Sequence, residues 1–401
     1  MKYDFDTIID RKNTNSLKYD FAVERGKPED ILPLWVADMD FKAPDEVLDA
    51  LHNCVEHGIF GYSEVKQDYF DVLHGWFYEH FNWDTKQEWL IKTPGVVFAI
   101  TLAIRAFTRE EDGVLIQQPV YYPFEETIVL NKRKPVVNYL VYHEGNYTID
   151  FKMFEQQIVN EKVKLFILCN PHNPVGRVWT VEELRQLGEI CLKHGVLIVS
   201  DEIHCDFTYP GYRHTVFASI HDSFSEHTIT CTSPSKTFNL AGLQVSNIFI
   251  QNEKIRKQFN LELEKSGYSQ LNTLGLAACK AAYQYGGTWL EELKEYLNGN
   301  LTFLREYLCN NLPRIKLVEP EGTYLVWLDC SGLNLSAAQM KELIIDKAGL
   351  WLDSGRIFGK NGTGFERMNI ACPRATLQRA LKQLHDAVLT YDDGRSPIFP
   401  S

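Results

Sequence analysis

The sequence predicts an α/β protein, with a large domain built on a mostly parallel sheet and a smaller α+β domain after it. Three observations predict this. Short apolar or β-branched runs, without the alternation of a half-wet strand, recur through the middle of the chain. Helix-start signals fall between such runs. After residue 251 the pattern turns mainly helical to 311, and a shorter set of strand and helix signals follows.

The elements can be justified in order. The first forty or so residues, up to "PLWVADMDF", have no clean period and read as an extended arm. A helix starts at Pro44, which suits the first helical position, and stops before Gly58. Another is expected from Ser63 to His80, and "TPGVVFAITLAIRAF" reads as a turn opening a buried helix at Gly95. The runs at 113–118, 164–170, 196–202, 227–233 and 246–250 read as strands buried on both faces. Thr180 and Glu183 form a capping box, Trp179 and Leu184 are spaced as a staple, and Gly195 ends that helix. A long amphipathic stretch runs from Thr288 to Asn311. "TYLVWLDC" is a strand, Ser336 and Gln339 cap a helix, "RMNIACP" is the last strand and "TLQRALKQLHDAVLTY" the last helix. The expected organisation is an arm at 1–45 joining the small domain, a large domain at 46–288 and a small domain at 289–401.

Bulk composition removes several function classes. The chain is 45% hydrophobic and 23% charged, ordinary for a globular protein. A net charge of −12 and no Lys/Arg-dense stretch argue against nucleic acid and anionic membranes as partners. No apolar run approaches the roughly 18 residues of a membrane helix, and no signal-peptide pattern opens the chain. The nine cysteines are scattered, odd in number and without a CxxC pair. They read as reduced thiols of a cytoplasmic protein, mostly core fillers, with no metal site.

The chemistry is concentrated at strand ends, where open α/β sheets bind ligands. "KLFILCN" runs into Asn170 and Asn173, "VLIVS" into Asp201, Glu202 and His204, and "HTITCT" into Ser233, Ser235 and Lys236. Each alone suits a turn or a cap. An amide, a carboxylate and a lysine on three such ends favour a site. A lysine of lowered pKa can form a Schiff base, and pyridoxal phosphate enzymes pair that lysine with an acid on the pyridine nitrogen. Ser233, Ser235 and the helix start at Gly95, Val96 and Val97 offer donors for a phosphate. The glycine-rich "SGRIFGKNGTGFER" lacks the strand–GxxxxGK[ST]–helix pattern and reads as a loop.

"NPHNPVG", "SDEIH" and "SPSKTFNLAG", in this order and spacing, resemble the class I/II aminotransferases, the fold-type I pyridoxal phosphate enzymes. "PLWVADMDF", "SDEIHCDF" and "SKTFNLAGLQ" resemble in particular the PatB/MalY-type cystathionine β-lyase or C–S lyase branch. The resemblance runs from about "ILPLWVADMDF" to the terminal helix and implies a seven-stranded sheet in the large domain. It also implies residue roles. Lys236 is the cofactor-bonding lysine and moves the proton at the substrate Cα. Asp201 faces the ring nitrogen, Asn173 the 3′-oxygen, and Tyr121 stacks on the ring. Tyr62 reaches the phosphate and substrate of a neighbouring subunit, and Val96 and Val97 belong to the phosphate loop. Arg367 grips the substrate α-carboxylate, with Arg374 as the alternative, and Trp35 and Ala37 line the substrate.

Two departures from the aminotransferase pattern fit the lyase branch better. His204 stands where many aminotransferases carry a tyrosine, and Gln244 where many carry a phosphate-binding arginine. The resemblance therefore implies a homodimeric carbon–sulfur β-lyase that cleaves L-cystathionine or related S-substituted L-cysteines to a thiol, pyruvate and ammonia. An aminotransferase is the alternative, and a cofactor-binding regulatory protein stands behind it.

Overall fold

The computed structural model describes residues 2–393. The chain divides into two units. The larger takes residues 42–291 and 321–323; the other takes residues up to 41, 292–320 and from 324 on.

The larger unit is organised by a seven-stranded sheet. Its strands are β1 (Leu90–Thr93), β2 (Gly113–Gln118), β3 (Lys134–Tyr139), β4 (Leu165–Cys169), β5 (Leu197–Asp201), β6 (Thr228–Thr232) and β7 (Ser246–Phe249). They lie in the order β1-β7-β6-β5-β4-β2-β3. Strands β2 to β6 pair in parallel, while β7 runs antiparallel to both β6 and β1. The carboxyl ends of β1, β2, β4, β5 and β6 therefore share one edge of the sheet.

The absence of a two-residue period in these strands has a simple cause. Every residue of β2, β4 and β6 is buried, so both faces demand apolar or hydrogen-bonded side chains. One face packs on the helix Val96–Phe107, whose Val96, Ala99, Ile100, Ala103 and Ile104 join Val114, Ile116, Leu165, Ile167, Val199 and Ile229 in one core. Burying each such branched side chain contributes roughly 1.5–3 kcal/mol before chain entropy is set against it.

Most helix signals land where the sequence puts them. The helix Asp45–His57 follows Pro44 and ends at Gly58, whose φ of 73° needs the left-handed region that glycine enters freely. The helix Val181–Lys193 carries the Thr180/Glu183 capping box, and Trp179 and Leu184 are both buried. Two expectations need correction. The helix expected from Ser63 begins at Gln67, because 61–66 instead form an extended segment in which Ser63 Oγ meets Thr273 Oγ1 at 2.6 Å. The arm is not extended throughout: residues 12–15 and 17–26 lie in turns, while Leu32–Pro33 is extended and pairs in parallel with Leu350–Trp351.

The other unit holds a four-stranded antiparallel sheet of Lys316–Val318, Leu325–Asp329, Phe365–Asn369 and Asp353–Ser354. In the helix Arg374–Asp393, Leu377, Ala380, Leu381 and Leu384 recur at helical spacing and are buried. The Ser336/Gln339 capping box forms as expected, but its helix, Ala337–Lys341, passes into a π-turn over Glu342–Lys347.

Candidate active site

Residues of the expected set stand at or just beyond the shared carboxyl edge of β2, β4, β5 and β6. Asp201 is the last residue of β5 and is 5% exposed. It sits in register between Cys169 of β4 and Cys231 of β6. Its backbone carbonyl accepts from Asn170 N (2.9 Å), and its Oδ1 accepts from Ile203 N (3.1 Å). Burial pushes its carboxyl up to about 7; Glu202 pushes the same way, while the Lys236 ammonium pulls it down.

Lys236 follows β6 on the short turn Pro234–Thr237 and is half-buried. Ser233 caps that turn: its hydroxyl accepts from Ser235 N at 3.1 Å and donates to Val245 O at 2.6 Å. The one proton of Ser233 is thus spent on the backbone. The loops after β2 and β4 are tied to each other. Tyr121 N donates to Asn173 O (3.1 Å), and His172 Nε2 lies 2.8 Å from Pro119 O. Asn173 is buried, and Tyr121 is half-buried with its ring edge-on to Phe124. Asn170 serves the loop itself, accepting from Trp179 N and donating to Thr215 O.

After β1, Gly95 occupies the N-cap of the helix Val96–Phe107 and supplies no side-chain cap, nor is there an acidic residue in the first turn. A Cβ built on Gly95 would meet nothing within 4 Å. The positive end of this helix, with the amides of Val96 and Val97, is therefore open to an anion at the same sheet edge. His204 is buried in the turn after Asp201. Gln244 has a left-handed φ of 53°. Tyr62 stands apart from this group in exposure: it is 97% exposed, on the segment that also presents Ile59 and Phe60 to solvent.

The remaining expected residues belong to the other unit. Arg367 lies on Phe365–Asn369, 3% exposed, and its Nη2 donates to Trp35 O (2.7 Å) and to Asp353. Trp35 is buried and stacks on Trp351 at 4.4 Å between ring centroids. The segment after it is held by its carbonyls: Ala37 O accepts from Tyr324 OH (3.0 Å), and Asn369 Nδ2 reaches Val36 O and Asp38 O, both at 2.6 Å. Asp38 and Asp40 meet Arg11 and the fully buried Lys18. Arg374, the alternative carboxylate ligand, has Nε donating to Asn300 Oδ1 at 2.7 Å and its guanidinium over Phe303.

Several residues of consequence escaped the sequence reading. Asp353 neutralises Arg367 from the neighbouring strand. Asp206 lies inside the "SDEIHCDF" motif and receives three side-chain donors, from Trp76, Thr237 and Cys205. His214 forms a buried pair with Glu202, a residue the sequence did single out, Nε2 to Oε2 at 2.8 Å.

A lysine, a buried acid and an uncapped helix end around one sheet edge define a member of the pyridoxal phosphate-dependent α/β enzymes by chemistry. The chain belongs to the aminotransferase class I and II family, which it matches over residues 33–384. It is 42% identical to cystathionine β-lyase PatB of Bacillus subtilis over 96% of this chain and 99% of that one. Among solved structures it is similar to cystalysin of Treponema denticola, which contains pyridoxal 5′-phosphate (TM-score 0.94, 40% identity, 98% and 100% of the two chains). It is also similar to the PLP-bound C–S lyase of Staphylococcus hominis (TM-score 0.92, 34% identity, 97% and 99%).

Proposed function

We infer that the protein is a pyridoxal phosphate-dependent carbon–sulfur β-lyase acting on L-cystathionine or a related S-substituted L-cysteine. One observation carries the cofactor assignment: Asp201, brought to about 7 by burial, sits beside Lys236 at the strand edge where ligands gather. A carboxyl held so far above its ordinary value gains most from a cationic N–H, and a pyridinium supplies one. The open helix end at Gly95 suits the phosphate, with the Ser235 hydroxyl, whereas Ser233 is already the cap of its turn. The choice of a lyase over an aminotransferase rests on the likeness to PatB and to the two lyase structures.

When bound, pyridoxal phosphate supplies a conjugated ring that accepts the electron pair released at the substrate Cα. The chain's own residues do the rest. Asn173 and Tyr121, tied through one backbone hydrogen bond, would hold the 3′-oxygen side and one face of the ring, with His204 as a positioned neighbour, and Asp201 would keep the ring nitrogen protonated. Arg367 binds the α-carboxylate, with Trp35 and Ala37 shaping that side; Arg374 Nε donates to Asn300 Oδ1. The Lys236 amine, in its neutral form, takes the Cα proton. The Cβ–S bond then breaks toward sulfur, the thiolate collects a proton and leaves, and 2-aminoacrylate hydrolyses to pyruvate and ammonia.

The working form is a homodimer in which Tyr62 completes the site of the other subunit. Its 97% exposure, beside exposed Ile59 and Phe60, supports this, since such a cluster is costly on a free surface. Sedimentation of a fully active monomer would remove that assignment. A cytoplasmic location is supported by nine free cysteines, and no described helix is long and apolar enough to cross a membrane.

The deciding experiment mixes purified protein, pyridoxal phosphate and L-cystathionine without a keto acid. Pyruvate and homocysteine in equal amounts are expected. Turnover that starts only when 2-oxoglutarate is added would make the protein an aminotransferase instead.

A further inference from the structure

Asp206 is buried, 6% exposed, in the turn that follows Asp201. Its Oδ2 accepts from Thr237 Oγ1 at 2.6 Å, and its Oδ1 accepts from Trp76 Nε1 at 3.0 Å. Thr237 is fully buried and is the residue next to Lys236. Trp76 is itself wedged edge-on against Phe238 and Tyr283 and stacked on His80. Within this short segment Asp201 and Asp206 have different neighbours. Asp201 ends β5 toward the ligand edge, and Asp206, five residues on, grips the turn that bears the lysine.

The turn needs such a grip. It is one four-residue helical turn, Pro234–Thr237, held at its start by the Ser233 cap. Its end has Phe238 N donating to Pro234 O, a backbone bond that fixes no side chain. A hydroxyl donating to a buried carboxylate is a charge-assisted bond, short and about twice as strong as a neutral one. In a buried setting it also fixes direction, since Oδ1 of Asp206 is engaged by Trp76 and Oδ2 by Thr237, with Cys205 Sγ 3.7 Å from the same Oδ2.

We propose that Asp206 is a positioning residue for Lys236: through Thr237, and braced by Trp76, it sets where the lysine side chain leaves the turn, and so how fast that amine captures an aldehyde and moves the Cα proton. This rests on the lyase reading above and adds a residue to its machinery.

The test measures covalent capture directly. The full-length protein, freed of bound cofactor, is mixed with pyridoxal phosphate and quenched with borohydride over time, and the pyridoxyl label on the Lys236 peptide is measured by mass spectrometry. The wild type is expected to label at Lys236; a wild type that never labels there overturns the lyase reading and this proposal with it. Thr237→Val removes the hydroxyl at nearly constant volume. Its capture rate and kcat are expected to fall about 10-fold or more with KM changed little, in line with the cost of a displaced reacting group. Thr237→Ser, which restores the hydroxyl, is expected to recover most of the rate. If Thr237→Val labels and turns over like the wild type while only melting earlier, Asp206 merely stabilises the fold and the proposal is wrong. Should Thr237→Val not fold, Trp76→Phe withdraws the donor on Oδ1. It is expected to slow capture about 3-fold or more, and a wild-type rate there overturns the proposal equally.

Discussion

Asp353 and Arg367 lie directly opposite each other on neighbouring antiparallel strands and form a buried ion pair. The carboxylate neutralises the guanidinium and, with Trp35 O, fixes one of its nitrogens. Nearby Glu366 is pushed up to about 8, chiefly by burial and next by the Asp353 charge. Burial also pushes Asp353 up, against the pull of the Arg367 cation, and Glu366 holds its proton near neutral pH.

Asp353→Asn is expected to raise KM for an amino-acid substrate about 10-fold, because the guanidinium loses its fixed direction. Stability should fall by about 2–3 kcal/mol, at the low end for a broken buried pair. Steady-state kinetics and urea unfolding at pH 7 check both numbers. An unchanged KM would show that this pair has no part in orienting Arg367.

Asp201 makes the protein without cofactor sensitive to base. The folded-state value of about 7 lies above the ordinary 3.8, so the folded chain holds a proton that the unfolded chain gives up. Stability is then intact below about 4 and declines as pH rises through 7. Asp201→Asn cannot ionise, and the cofactor-free variant should outlast the wild type at pH 8 by up to about 4 kcal/mol, with the gap closing by pH 4. Thermal melts across that range check it. Adding pyridoxal phosphate should reverse the ranking, since only the carboxylate can pair with a protonated ring nitrogen.

The reach of the sequence can be judged from particular residues. Asp201 ends a buried strand, and Asn173 and Lys236 each stand four residues beyond the end of another; singly each suits a turn or a cap, and their recurrence at three strand ends is what pointed to a site. The Thr180/Glu183 box was legible because a cap is decided within four residues. Strands β1 and β3 were missed: "LIKT" is too short for a period, and "KPVVNY" hides its apolar pair between a proline and polar ends. The antiparallel direction of β7 is a property of pairing, which local pattern does not encode. Asp353 and Asp206 were invisible for the same reason. Their partners stand 14 and 31 residues away and meet them only in the fold.

Lys18 tests how the arm is held. Its ammonium is fully buried against Asp40 at 2.9 Å and Asp38 at 3.5 Å, while Arg11 binds the same two acids. Lys18→Met keeps the stem but leaves Asp40 short of a cation, a loss of about 3 kcal/mol for a broken buried pair. The 36–38 backbone, clamped by Tyr324 and Asn369, should loosen from its other side. Hydrogen exchange of amides 35–40 is expected to speed up, with the sheet strands of the larger unit unaffected. Unchanged exchange there would show that the carbonyl clamps suffice alone.

Gly275 ties a distant helix start to the lysine turn. A Cβ at this position would come within 2.5 Å of Leu243 O and 2.6 Å of the Val245 side chain. Neither can retreat freely, because Leu243 O accepts from Asn272 Nδ2 and Val245 O accepts from Ser233. Gly275→Ala must therefore push the 243–245 segment, and with it the carbonyl that receives the Ser233 proton. The expected cost is about 2–3 kcal/mol of overpacking, and the capture of pyridoxal phosphate by Lys236 should weaken because the cap of its turn has moved. A melting curve and a cofactor titration on the same preparation separate the two effects. Lost stability with unaltered cofactor affinity would mean that the turn rides out the shift, and that its geometry is set from the Asp206 side.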